Sequence, residues 1–153
     1  MNRGVQTAMA LLMWLAVTVA QGSTEPAPSL SASFLKKLGE AQTALQQKHQ
    51  ENSRAVLQAL TEQVGNSPYE NGIAWSMLGF LHYQNGDLKQ SEQAYEKALQ
   101  FDIPQPLAQD IRKTLGQVYA SDNNCQRAVA LFDQWLRYAQ TDTEDVLVWS
   151  AQC

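Results

Sequence analysis

From Leu30 onward, apolar side chains return every third or fourth position, the period of a helix with one buried face, and strand-like alternation is not needed to explain any stretch. The pattern predicts helices over 32–48, 51–64, 70–85, 88–101, 107–120 and 124–139, and a last one from about 143. Each interruption has a chemical cause: Gly65-Asn66-Ser67-Pro68, Asn85-Gly86-Asp87, Pro104-Gln105-Pro106 and Ser121-Asp122-Asn123 all favour turns over helix. Connections this short make successive helices antiparallel. The expected fold class is therefore all-α, a series of helical hairpins.

The first 22 residues follow another pattern. Arg3 precedes an uncharged, mostly apolar run of 16 residues from Val5 to Ala20, with small residues at Thr18, Ala20 and Gly22. That is the order of an export signal, with cleavage expected after Ala20 or Gly22 and a periplasmic location for the product. An uncleaved anchor is the alternative, since the run falls just short of the usual spanning length. Membrane contact is thus expected only through such a signal or through partners. No cysteine follows the run, which argues against a lipid-anchored form, and residues 23–29, rich in Pro, Ser and Thr, read as a flexible leader. The remaining 131 residues suffice for a hydrophobic core and carry a net charge of −5. That balance argues against nucleic acid as a partner, because duplex binding needs a basic surface.

Self-similarity along the chain narrows the fold further. Residues 72–105 place Trp75, Leu78 and Gly79 on one helix, Gly86 in the turn, Tyr95, Ala98 and Leu99 on the next helix, and Pro104 at the end. This resembles the tetratricopeptide repeat, whose 34-residue helix-turn-helix carries W-x-x-L-G, a turn glycine, A-x-x-x-Y-x-x-A-L and a closing proline. His82 stands where the family prefers Tyr, and Ser91 replaces the first small Ala. Residues 109–142 repeat the scheme with Leu115-Gly116, Tyr119, Ala128, Phe132 and Leu136, with Arg112, Asn123 and Trp135 as departures. Residues 36–69 read as a worn copy marked by Leu38-Gly39 and Ala55. Small residues such as Gly79 and Ala98 suit a close helix crossing, and Gly86 and Asn123 tolerate the left-handed backbone of a turn.

The resemblance implies a right-handed solenoid whose first helices line a concave groove. On that basis Ile73, Ser76, Phe80 and Tyr83, with Lys113 and Gln117 of the next repeat, form the expected binding stripe for a protein or peptide. Burial of Phe80 under the preceding helix is the alternative. Lys113 alone does not make the cluster of cations with which some family members clamp a terminal carboxylate. A narrower resemblance, in the segment 67–80, in the R-A-V-A-L-F-D-Q-W-L-R-Y-A run and in the exported start, is to small periplasmic repeat proteins described as components of TonB energy-transducing systems. It implies a non-catalytic adaptor with TonB, ExbB or ExbD as partners. A scaffold for pilus or envelope assembly, and an enzyme or hydrolase regulator, stand as alternatives.

No nucleophile elbow, zinc-protease motif, phosphate loop or C-x-x-C is present, and the two histidines have no Cys or acidic partner at ligand spacing, so no cofactor or metal is expected. In a stacked array the helix opened by Cys125 and the one closed by Cys153 are antiparallel neighbours, which brings the two within disulfide reach; two unpaired thiols are the alternative. Val146-Leu147-Val148-Trp149 is apolar almost all round, so a cover is expected there, either a second copy or a continuing repeat.

Overall fold

The computed structural model describes residues 28–139 and 143–153, so the expected signal and most of the leader lie outside the described residues. Among them run seven α-helices and no strand: α1 (Ala32–Gln46), α2 (Gln50–Thr61), α3 (Pro68–Gln84), α4 (Leu88–Ala98), α5 (Gln105–Ser121), α6 (Cys125–Leu136) and α7 (Glu144–Gln152). The apolar period located every helix, and capping chemistry set the ends. Helix α3 begins at Pro68 because the Glu70 N–H donates to the Ser67 hydroxyl at 3.2 Å while the Glu70 carboxylate accepts the Ser67 N–H at 2.8 Å. Proline loses nothing at that first position. Helices α4 and α6 stop three residues short of the sequence estimate, where Phe101 N–H turns back to Ala98 O and Tyr138 N–H to Trp135 O.

Three residues hold a left-handed backbone at the end of a pair's first helix: Lys48 (φ 61°), Gly86 (φ 78°) and Asn123 (φ 59°). Each is followed by the same backbone bond, from His49 N–H to Ala44 O, Asp87 N–H to His82 O and Asn124 N–H to Tyr119 O, at 2.8, 2.9 and 2.8 Å. The pairs α1–α2, α3–α4 and α5–α6 therefore superpose with steps of 38 and 37 residues. In this register Ala41, Gly79 and Gly116 are equivalent, as are Ser53, Ser91 and Ala128, and Leu57, Tyr95 and Phe132; all are buried. A Cβ on Gly79 would sit 3.0 Å from the Tyr95 ring, and one on Gly116 would run into Phe132, so the small residue is needed where the two helices cross.

The first pair corrects the sequence reading. Gly39 has open space around it and Ala55 is exposed, so Leu38-Gly39 and Ala55 do not mark the crossing; Ala41 and Ser53 do. Leu-Gly is a frequent dipeptide, whereas the packing requirement is only for a small residue facing the partner helix.

Two apolar clusters form the core. One joins α1, α2 and α3 through Phe34, Leu57, Leu60, Leu78 and Leu81; the other joins α4 to α7 through Tyr95, Leu115, Val118, Phe132 and Val146. Trp75 packs against both and so ties the first pair to the second. On α1 the positions equivalent to Trp75 and Leu78 are Lys37, half-buried with its ammonium donating to the Gln63 side chain, and the exposed Glu40. At the other end, α7 turns Val146 inward and leaves Leu147 and Val148 half exposed.

Candidate functional site

The first helices of the pairs stand with their starts together. Glu70 of α3 reaches across to α1, accepting the Ser31 N–H at 2.7 Å, while its other oxygen accepts from Ser67. Burial alone would raise the Glu70 carboxyl, but the hydrogen bonds from Ser31 and Ser67 outweigh it and hold the group below its ordinary 4.5.

Between α3 and α5, on the same side, lies a pocket of about 220 Å³. Met77 and Phe80 line it from α3, Leu107, Ile111 and Asp110 from α5, and the Tyr95 ring closes the bottom. Phe80 is 45% exposed, so the preceding helix does not cover it. Its equivalents on α1 and α5 are Gln42 and Gln117, which makes Phe80 the aromatic member of that row. Helical spacing explains the wall on α5, because residues three and four apart share a face.

The expected stripe splits. Ser76 lines the pocket and donates its hydroxyl to Ile73 O at 2.9 Å. Ile73 itself packs on the α1–α3 cluster, and Tyr83 is half-buried against the α4–α7 cluster, so the two aromatics do not form an exposed pair. Lys113 is committed elsewhere. Its ammonium lies 2.7 Å from the Asp145 carboxylate and 4.8 Å from the Trp135 ring centre, where it fastens α7. The Lys113 bond holds the Asp145 carboxyl below its ordinary value against the opposing effect of burial. Gln117 lies half-buried one turn further along α5. Cys125 and Cys153 are joined through their sulfurs with Cα atoms 5.1 Å apart, linking the start of α6 to the end of α7.

Sequence reasoning missed Met77, Leu107 and Ile111. The signal was available in the i, i+3, i+4 spacing of Leu107, Asp110, Ile111 and Thr114, but the repeat frame, opened only at residue 109, left Leu107 out.

The tetratricopeptide repeat family model matches residues 72–103. That span takes in most of α3, all of α4 and the turn at Gly86, and the helices on either side stack on it in the same register. The fold is thus a tetratricopeptide-type helical solenoid. A comparison with curated proteins returns no match. The tetratricopeptide match supports protein–protein interaction as the general role of the chain.

Proposed function

We propose that the chain is an exported, non-catalytic adaptor that binds a segment of another protein in the valley between α3 and α5. The observation that carries this reading is Phe80, a large aromatic left 45% exposed beside a mostly apolar pocket on the face made by the first helices. Aromatic anchors of this kind supply a large share of binding energy at protein interfaces. The pocket fits one large apolar side chain, and Asp110 at its rim favours a partner without an acidic residue at that point.

Export and the periplasmic setting rest on the order of Arg3, the apolar run and the small residues ending at Ala20 or Gly22. TonB, ExbB or ExbD as the partner rests on the sequence resemblance of 67–80 and of the run that forms α6. Capture from envelope extracts with the mature protein tests both the groove and the partner. Phe80→Ala should weaken retention of the captured protein by about 2 kcal/mol, roughly thirtyfold in affinity, while helicity and melting stay close to those of the parent. A sharp fall in melting temperature, or unchanged capture, would remove Phe80 from the interface.

A further inference from the structure

The pocket between α3 and α5 has a polar side as well as apolar walls. Asp110 lines it from an exposed position on α5, and no other lining residue carries a charge. Among the described residues no cation stands within ion-pair distance of the Asp110 carboxylate. Lys113, three positions further along α5, is taken by Asp145 at 2.7 Å.

In the repeat register the residues equivalent to Asp110 are Leu35 on α1 and Ile73 on α3, so the stacking of the first helices does not call for a carboxylate at this position. Glu70, at the start of α3, shows what a structural carboxylate on these helices looks like: its two oxygens are occupied by the Ser31 and Ser67 N–H groups. The Asp110 side chain accepts no hydrogen bond from the described residues. Its charge is free to meet a ligand.

Two hydroxyls on the same pocket are committed as donors. Ser76 donates to Ile73 O at 2.9 Å and Thr114 to Asp110 O at 3.0 Å, so each gives its one proton to its own helix and leaves only lone pairs for a ligand. One carboxylate and two hydroxyl oxygens thus line a pocket whose walls are otherwise Met77, Phe80, Leu107 and Ile111 over the Tyr95 ring.

We propose that this pocket takes a lysine side chain of the bound segment, its stem against Phe80, Met77 and Leu107 and its ammonium donating to Asp110, Ser76 and Thr114. The inference rests on the α3–α5 groove as the binding site and narrows it, from any large apolar side chain to one that ends in a cation. An ammonium has three protons and no lone pair, which matches a set of acceptors. Lysine also buries its stem while the head stays near water, and the pocket is apolar inside with its charge at the rim. A methionine of the same length fills the walls and leaves Asp110 unpaired. Residues 23–153 carry a net charge of −5, so the long-range field draws a cationic segment in the same direction.

The test is a titration of the methyl-labelled protein with alanine pentapeptides, capped at both ends and carrying Lys, Met or Glu at the centre, following the Met77, Leu107 and Ile111 methyl signals by NMR. The Lys peptide should give saturable shifts, bind roughly fivefold or more tighter than the Met peptide and lose that advantage in high salt, with the Glu peptide weakest of the three. Asp110→Asn, at an exposed position whose side chain holds no bond, should bring the Lys peptide down to the level of the Met peptide and leave the Met peptide unchanged. Phe80→Ala should weaken both peptides alike, which checks the groove itself. Equal binding of the Lys and Met peptides, a Lys preference that survives Asp110→Asn, or no shift with any peptide would overturn the inference. The groove as a binding site falls separately, if capture from envelope extracts is indifferent to Phe80→Ala.

Discussion

Glu70 satisfies backbone donors at the starts of two helices, which makes one carboxylate an acid-sensitive fastening. Its folded pKa lies below the ordinary 4.5, so the stabilisation is fully present above that value and is lost as pH falls through the lower folded one. Glu70→Gln should therefore cost about 1 kcal/mol at neutral pH and flatten the loss of stability that the parent shows as pH falls below the ordinary carboxylate range, as read by urea unfolding across pH. Two serines give a sharper contrast. The Ser91 hydroxyl donates to Gly79 O at 2.8 Å, whereas the equivalent Ser53 hydroxyl is buried without a partner. Ser91→Ala should lose roughly 1 kcal/mol, and Ser53→Ala should lose nothing or gain up to about 1 kcal/mol, because an unpaired buried group is removed. Chemical denaturation of the pair checks the sign. The Ser67-x-x-Glu70 box is readable in sequence as a local signal, but Ser31, 39 positions away, joins it only once α1 and α3 lie side by side.

At the scale of elements, the three left-handed residues define the register, and they differ in how visible they are. Gly86 and Asn123 belong to residue types that reach this conformation easily, and both were legible as turns. Lys48 does not, which is why the first pair was placed two residues out of step. The same difference predicts a stability effect. Lys48→Gly should stabilise the protein by about 1 kcal/mol, the cost of holding a side-chain-bearing residue left-handed less the extra freedom glycine has when unfolded. A rise of a few degrees in melting temperature would register it; a fall would mean that the Lys48 side chain has a structural role of its own. Helix existence and order were legible because burial of one face imposes a period on the sequence. Helix ends were less so, because capping depends on a few local bonds.

For the whole molecule, what could not be read was which groove residues remain free once the chain is assembled. Lys113 had the position of a groove cation, yet Asp145, from a helix not adjacent in sequence, neutralises it. Helix α7 is held by that pair, by Val146 and by the Cys125–Cys153 link. Cys153→Ser should release about 3 kcal/mol of loop-closure stabilisation. The loss should be concentrated in α7, with faster amide exchange after residue 143 and little change in α1 to α4. Uniform destabilisation of all seven helices would show instead that α7 is part of one cooperative unit. The outermost described helices both leave apolar side chains half exposed, Leu35 on α1 and the adjacent pair Leu147 and Val148 on α7. A two-fold contact through Leu147 and Val148 would cover apolar surface with apolar surface.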